Sequence, residues 1–272
     1  MCAKFSALYD WWNEQFASDG ALVTVLKQRV RANVLAMHAI LTVRPDALFI
    51  QSESAERFHA AEPQAMAETA MMNERRCLSL DLNYGRQIGA DMLRYVLDNG
   101  MSMDEYDFFM HRSLKQHCTR GTDYYLTNEH HVRTDGCLSG AGDVFGYAVI
   151  GRQYYERYRL PMMHTETNGR GAAPRIDEPD WLHRQWLSAR NLHSCGVPVL
   201  GFTRYSLTDR IDSDIALRHK PATLTPYGLF DLDRNIRPVG EAYRQMIARW
   251  RGVLPSQSMC LELPVALPEA SA

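Results

Sequence analysis

The apolar positions between residues 20 and 43 recur at steps of three and four, which predicts one long amphipathic helix. The pattern stops at Arg44-Pro45, where proline ends the helix. A short apolar run at residues 47–50 follows at once and gives way to polar residues at 51–54. Such a run indicates a buried strand with polar side chains at its end. This helix and a strand over 47–52 therefore form the first α/β unit.

Helical and strand patterns alternate along the rest of the chain. Strands that alternate with helices are typical of a parallel sheet with crossover helices, so the predicted fold class is α/β. The Pro-, Ser- and Ala-rich segment 254–272 is predicted to be a disordered tail. The further helices are predicted near 62–74, 87–98, 103–117, 143–158, 179–194 and 238–250, and the further strands at 122–127, 161–165 and 197–203.

Composition narrows the class of protein. Hydrophobic residues make up 46% of the 272 residues and charged residues 23%, as in a globular chain with a buried core. The formal net charge of −2 lacks the basic excess of a nucleic-acid-binding protein, so we expect no nucleic-acid partner. The six cysteines form no C-x-x-C pair, and no apolar run has the length of a signal peptide or a membrane span. These features predict a cytoplasmic protein without membrane contact.

Polar residues stand at the carboxyl end of every predicted strand. In parallel α/β folds this end of the sheet carries the ligand site. The polar residues at the four strand ends converge on one edge of the sheet, which predicts the ligand site at that edge. The residues are Ser52 and Glu53 on the first strand, 127–130 on the second, His164 and Glu166 on the third, and Ser206 and Asp209 on the fourth.

The segment 159–169, Arg-Leu-Pro-Met-Met-His-Thr-Glu-Thr-Asn-Gly, places Glu166 just past an apolar strand and before an Asn-Gly turn. It resembles the strand-seven Thr-Glu-Asn-Gly motif of family-1 glycoside hydrolases, the β-glucosidase and 6-phospho-β-glucosidase type, with Thr167 inserted. Residues 123–127, 201–209 and 227–233 are similar to the family's strand-six Asn-Tyr-Tyr-Thr, its strand-eight Gly-Tyr-x-x-Trp-Ser-Leu-x-Asp and its closing Gly-Leu-x-x-Val-Asp. The resemblance implies a (β/α)8 TIM barrel and a retaining β-glycosidase.

The resemblance also implies roles for single residues. A retaining mechanism uses two carboxylates, a nucleophile and an acid/base. Glu166 matches the nucleophile, and Tyr125 matches the tyrosine whose hydroxyl keeps that nucleophile ionised and oriented. Ser213 stands where the family has a tryptophan, so it offers no ring for a sugar to stack on. No cofactor and no metal are implied, and the partner is a small-molecule glycoside. The expected substrate-binding residues are Asp123, Glu129, Tyr205, Asp209 and Asp212.

The family's acid/base glutamate lies in an Asn-Glu-Pro motif at the end of strand four. Asn-Glu pairs occur at 13–14, 73–74 and 128–129, and the first two fall in helical stretches. Glu129 precedes Glu166 by only 37 positions, which leaves room for one crossover unit and not for three. We therefore expect residues 1–253 to form the C-terminal half of the barrel, strands five to eight with their helices, without strands one to four and without the acid/base residue.

A half-barrel has physical consequences. Four parallel strands leave two unpaired edges and an uncovered inner face, so we expect a second chain or a homo-oligomer to cover them. A nucleophile without its acid loses general-acid assistance, typically a factor of about 10² to 10⁴. The chain alone is therefore expected to be weakly active or inactive.

Two alternatives remain open at this point. A metal-dependent TIM-barrel hydrolase would use carboxylate and imidazole ligands on adjacent strand ends, although no H-x-H or H-E-x-x-H spacing is present. A non-catalytic carbohydrate-binding relic would share the fold and lack a complete carboxylate pair. The ligand types available to the metal site are Glu129, His130, His131, His164 and Glu166.

Overall fold

The computed structural model describes residues 2–10, 16–169, 177–211 and 224–251. Its strands, in chain order, are β1 Phe49–Ser54, β2 Arg57–Ala60, β3 Cys118–Asp123, β4 Glu129–Val132, β5 Leu138–Gly140, β6 Met162–Glu166, β7 Val199–Phe202, β8 Arg210–Ile211 and β9 Leu224–Thr225. Its α-helices are α1 Cys2–Ala7, α2 Asp19–Val43, α3 Met66–Arg75, α4 Leu78–Asn83, α5 Ala90–Asp98, α6 Met103–His111, α7 Gly146–Tyr158, α8 Glu178–Ser194 and α9 Pro238–Trp250.

The central sheet has four parallel strands in the order β1, β3, β6 and β7. Each of the four corresponds to a strand predicted from the sequence, and helices separate them along the chain, so the predicted α/β partial barrel is confirmed. The predicted second strand, 122–127, lies too late in the chain, because the strand runs over Cys118–Asp123. Its sequence, Cys-Thr-Arg-Gly-Thr-Asp, is polar, yet five of its six residues are buried. Because this buried strand shows no apolar pattern, the sequence predicts it too late in the chain.

The long helices follow the sequence pattern closely. Ser18 caps α2 by accepting a hydrogen bond from the backbone N–H of Ala21, and Pro238 occupies the first turn of α9, where its missing N–H costs nothing. The predicted helix at 103–117 is too long, because α6 ends at His111 and the chain then turns into β3. The predicted tail over 254–272 lies outside the described residues.

Helices cover one face of the sheet. On β1, Gln51 points to this face, where its amide contacts Asn33 and Met37 of α2. Ile50 and Ser52 point the other way and are exposed; 52% of the Ile50 surface is accessible. Parallel sheets are normally covered on both faces. In the part of the chain that is described, the inner face at β1 therefore lacks a cover.

A small sheet of β2, β4 and β5 extends beyond the carboxyl ends of β1 and β3. The sequence did not predict it. Strand β2 pairs in parallel with β4, as β1 pairs with β3, so the same two stretches of chain meet twice. The connection between β3 and β4 carries Tyr125 and a 3-10 turn over Leu126–Asn128. The pairing of β2 with β4 therefore holds the connection between β3 and β4 against the central sheet.

The main hydrophobic core lies between the helices and the covered face of the sheet. Trp181 of α8 is completely buried, and its ring stacks on that of Tyr124 with 6.2 Å between centroids. Its indole N–H donates to Oγ1 of Thr167, directly after β6. The core therefore fixes the chain directly after Glu166. Across the described residues, we find no helix with the length and apolarity needed to span a bilayer.

Candidate active site

Glu166 is the last residue of β6 and lies at the carboxyl end of the sheet. Thr122 of β3 pairs with His164, but the next residue, Asp123, pairs with Glu166, so the register shifts there by one position. Such a bulge redirects side chains at the end of a strand. It brings two acidic residues side by side. The sequence pattern placed Glu166 at a strand end but Asp123 near the start of the strand predicted over 122–127, and it gave no sign of their pairing.

Tyr125 reaches Glu166 from the connection after β3. Its hydroxyl donates a hydrogen bond of 2.8 Å to Oε2 of Glu166. Burial, together with the nearby Glu166 carboxylate, raises the pKa of the Tyr125 phenol far above its usual range. The phenol therefore keeps its proton and acts as the donor. This is the contact that the sequence resemblance implied for these two residues.

Asp123 is held by two hydroxyl groups. Ser52 Oγ on β1 and Thr165 Oγ1 on β6 each lie 2.7 Å from its Oδ1, and the two hydroxyl oxygens are 2.8 Å apart. Three adjacent strands thus contribute to one polar cluster beside Glu166. Thr165 was not among the predicted site residues. The sequence shows only that, by strand alternation, the side chains of Thr165 and Met163 lie on the same face of β6.

The charge state of Glu166 depends on four influences. Burial raises the pKa of its carboxyl group, and the neighbouring Asp123 raises it further. The hydrogen bond from Tyr125 and the positive charge of Arg210 lower it. The raising influences prevail, so the pKa lies above the usual glutamate value. Arg210 was not predicted either, because it follows the eighth-strand motif of the resemblance.

A cavity of ≈ 520 Å³ opens beside Glu166 and Asp123. This volume falls in the range of small-molecule pockets, about 300 to 1,000 Å³. Glu53, which accepts a 2.9 Å hydrogen bond from Ser79, and Glu56 add two further carboxylates to the wall. The cavity wall also carries hydroxyl and amide side chains, which can bind sugar hydroxyls through directional hydrogen bonds. These side chains belong to Asn33, Gln51, Ser52, Ser54, Ser79 and Asn83.

Glu129 lies away from the cavity lining and is completely buried. Its carboxylate accepts hydrogen bonds from the Tyr124 hydroxyl at 2.8 Å and from the backbone N–H groups of Phe145 and Gly146 at 2.9 and 2.8 Å, and it contacts Nε2 of His59 at 2.7 Å. These contacts occupy both oxygens. The contacts of Glu129 are structural ones at the start of α7, where a carboxylate suits the N-terminal end of the helix.

Asp209 is also buried, with 3% of its surface accessible. It forms a two-point ion pair with Arg237 and accepts a hydrogen bond of 2.9 Å from the N–H of Gly228. Its role is to join the segment after β7 to the start of α9, which fits scaffolding better than sugar contact. Tyr205 is partly exposed, and the Arg210 guanidinium lies 5.6 Å from its ring centroid. Asp212 and Ser213 lie outside the described residues.

The imidazole groups of the metal alternative do not converge. His164 is completely buried between Tyr147 and Phe202, with ring centroids 4.0 and 4.9 Å away. Burial lowers its pKa to about 3, against an opposing influence of Gln185. His130 stacks on Phe58. Over the described ranges, no group of three His, Cys, Asp or Glu side chains is arranged to hold a metal ion.

A buried arginine links the loops after β6 and β7. Arg204 forms an ion pair with Glu178 and donates to the backbone carbonyls of Tyr205 and Tyr227 at 3.0 and 2.7 Å. Glu178 in turn accepts a hydrogen bond from the N–H of Gly169. This network fixes the backbone beyond Glu166. Sequence reasoning missed it, because Arg204 and Glu178 lie 26 positions apart and only the fold brings them together.

Solved structures share this fold. A β-glucosidase from Thermotoga maritima in complex with deoxynojirimycin superposes with a TM-score of 0.73 at 16% sequence identity, covering 91% of this chain and 60% of that chain. The complex with glucoimidazole gives a TM-score of 0.73 at 16% identity, covering 91% and 61%. A structure described as a family 1 β-glucosidase from Thermotoga maritima gives 0.72 at 15% identity, with the same shares.

At this level of identity the similarity establishes the fold. The parallel α/β unit matches part of a β-glucosidase TIM barrel, and the chain spans about 60% of the length of these structures. No protein-family model matches the sequence, and no curated protein matches it.

Proposed function

We propose that the chain provides the nucleophile side of a retaining β-glycosidase site. The observation that carries the proposal is the hydrogen bond from Tyr125 to Glu166 at the mouth of a ligand-sized cavity. The fold is that of part of a β-glucosidase barrel, and one of those β-glucosidase structures is a complex with deoxynojirimycin. A small-molecule glycoside is accordingly the proposed substrate.

In the proposed reaction, an ionised Glu166 oxygen attacks the anomeric carbon of a β-glycoside. The bond from that carbon to the leaving oxygen breaks, and the leaving oxygen takes the electron pair. A glycosyl ester on Glu166 forms, and water then hydrolyses it with retention of configuration. Tyr125 donates its hydrogen bond to the attacking carboxylate and holds it in the orientation for attack. Asp123 and Tyr205 are the proposed sugar contacts among the described residues.

The acid/base carboxylate is proposed to come from outside the described four-strand unit. Glu129, the carboxylate of the Asn-Glu pair that follows β3, is fully engaged in hydrogen bonds. The chain alone therefore acts weakly on glycosides whose leaving groups need protonation. The exposed face with Ile50 and Ser52 supports a further proposal, that a second chain or copy covers the open side of the sheet. A cytoplasmic location stays a prediction.

The test uses a substrate that needs no acid. A 2,4-dinitrophenyl 2-deoxy-2-fluoro-β-glucoside carries a leaving group that departs unprotonated, and the fluorine slows the second step. Incubation with the purified chain is expected to add one fluoroglucosyl group to the peptide that contains Glu166, detected by peptide mass spectrometry. Glu166→Gln is expected to abolish the label. Glu68→Gln, an exposed glutamate on α3, is the matched control and should label normally.

The outcomes separate the candidate functions. A label on another carboxylate would overturn the assignment of Glu166. Binding of the reagent without any label would favour the non-catalytic carbohydrate-binding protein. Hydrolysis that survives in Glu166→Gln and is abolished by a chelator would favour the metal-dependent hydrolase.

A further inference from the structure

Asp123 stands where the strand-six motif of the resemblance has asparagine. A charge thus replaces a neutral amide on the residue paired with Glu166 across β3 and β6. An amide at this position would leave Glu166 without an acidic neighbour in the paired position. The substitution therefore bears directly on the carboxylate proposed to perform the attack.

Ser52 and Thr165 fix the Asp123 carboxylate in place. Each hydroxyl lies within 2.7 Å of Oδ1, and each has one proton to donate. Donation from two hydroxyl groups to one oxygen fixes the position of that oxygen. Because Ser52 belongs to β1 and Thr165 to β6, the Asp123 side chain is held between two strands. Both Asp123 and Glu166 line the cavity.

We propose that Asp123 is a positioning residue that controls the ionisation of Glu166 and so sets the pH range in which Glu166 can act as a nucleophile. The inference rests on the proposed function and deepens it. Asp123 acts through Glu166, because a negative charge beside a carboxyl group disfavours loss of the second proton.

Other charged or titratable groups also face Glu166. Tyr125, from the connection after β3, and Arg210 of β8 both favour its ionised form. Glu53 of β1 and Glu56 line the same cavity, as do the cationic side chains of Lys4, Arg29, Arg75 and Arg76. Since these groups stay in place when Asp123 is changed, the contribution of Asp123 can be isolated by one substitution.

The experiment is a titration of the Glu166 side chain by ¹³C NMR in the full chain labelled at glutamate carboxyl carbons. The signal is assigned as the one that disappears in Glu166→Gln. In Asp123→Asn, the amide oxygen can still accept from Ser52 and Thr165, so the fold is expected to persist. We expect the midpoint of the Glu166 titration to move to lower pH in this variant.

Asp46→Asn is the matched control. Asp46 is exposed, and its carboxylate pairs with Arg44 at the surface, so this variant removes the same charge far from the site. It should leave the Glu166 midpoint unchanged. An unchanged or higher midpoint in Asp123→Asn would overturn the proposal. If Asp123→Asn does not fold by circular dichroism, Asp123→Ser removes the charge with less volume, and the same two outcomes decide.

The titration needs no glycoside, so it is independent of the labelling test. A lower midpoint together with failed labelling would keep the coupling and reject the glycosidase. An unchanged midpoint together with successful labelling would reject the role of Asp123 and keep Glu166 as nucleophile. Where labelling succeeds, its acid limb should move to lower pH in Asp123→Asn, in parallel with the titration.

Discussion

The hydroxyl of Tyr125 donates a 2.8 Å hydrogen bond to the carboxylate of Glu166, although the two residues lie 41 positions apart in the chain. Tyr125 comes from the connection after β3 and Glu166 from the end of β6, and these strands are neighbours in the sheet. The contact therefore depends on correct pairing of the parallel strands. It also makes the reactivity of Glu166 sensitive to a single hydroxyl group.

Tyr125→Phe is expected to slow fluoroglucoside labelling of Glu166 by about 10- to 100-fold. A hydrogen bond to a charged group contributes about 1.5 to 3 kcal/mol, and its loss raises the pKa of Glu166 further. The labelling rate is measured at fixed pH by intact-protein mass spectrometry. Tyr155→Phe on α7 is the control and should label at the normal rate. Equal rates for the two variants would show that the Tyr125 hydroxyl has no such role.

Glu129→Gln is expected to lower the free energy of unfolding by about 2 to 5 kcal/mol, because an amide cannot accept from every donor that the buried carboxylate satisfies. Urea denaturation followed by circular dichroism measures the change. Labelling of the folded fraction should persist. Normal stability combined with weaker binding of the fluoroglucoside would instead restore Glu129 as a substrate contact.

Gly121→Ala is expected to cost about 1 to 3 kcal/mol of stability. A Cβ atom at Gly121 would lie 2.9 Å from Cα of Ser52 and 3.0 Å from Cγ2 of Ile50, so β1 and β3 would have to separate. Gly140→Ala in β5 is the control, since a Cβ there meets nothing within 4 Å. Its effect should stay within about 0.5 kcal/mol. Similar stability of the two variants, compared by thermal or urea unfolding, would contradict the close approach.

The stability of the chain is expected to fall as the pH drops from 7 to 5, partly through His164. In the unfolded chain the imidazole takes up a proton near pH 6.5, whereas in the folded chain its pKa is about 3. The unfolded state therefore binds more protons between these values, and acid favours unfolding. This one group accounts for about 2 kcal/mol between pH 7 and pH 5.

His164→Gln should flatten this pH dependence even if it lowers stability overall. His183→Gln, at an exposed position of α8, serves as the control and should keep the wild-type slope. Urea unfolding of the three proteins at pH 7, 6 and 5 gives the comparison. A wild-type slope in His164→Gln would mean that the His164 ring is hydrated and titrates normally in the folded protein.

The sequence was sufficient to locate the four parallel strands and their long helices because periodicity and chain breakers act locally. It misplaced β3, since Arg120 in that strand is buried through contacts invisible in a local window: its guanidinium lies 4.5 Å from the Tyr154 ring centroid and donates to the backbone carbonyl of Glu53. It also missed the small sheet, whose pairing of β2 with β4 joins residues about 70 positions apart.

The residues predicted for the site also fall into two groups. The strand-end rule and the motif resemblance led to Glu166, Tyr125 and Asp123, which the fold brings together. The same rule also selected Glu129 and Asp209, which stand near strand ends but are buried in structural ion pairs and hydrogen bonds. A polar residue at a strand end can face the ligand or hold the next helix, and only the three-dimensional arrangement distinguishes the two.

Strand β1 pairs with β3, and β2 pairs with β4. This double pairing limits where the chain can accept insertions. The two connections inside it, residues 55–56 and 124–128, are bounded on both sides by paired strands. One extra residue in either would move β2 against β4 by one position and turn its side chains to the opposite face. Insertions should therefore be tolerated in the exposed turn at 133–137 and rejected in these two connections, a pattern that an insertion scan of folded yield would reveal.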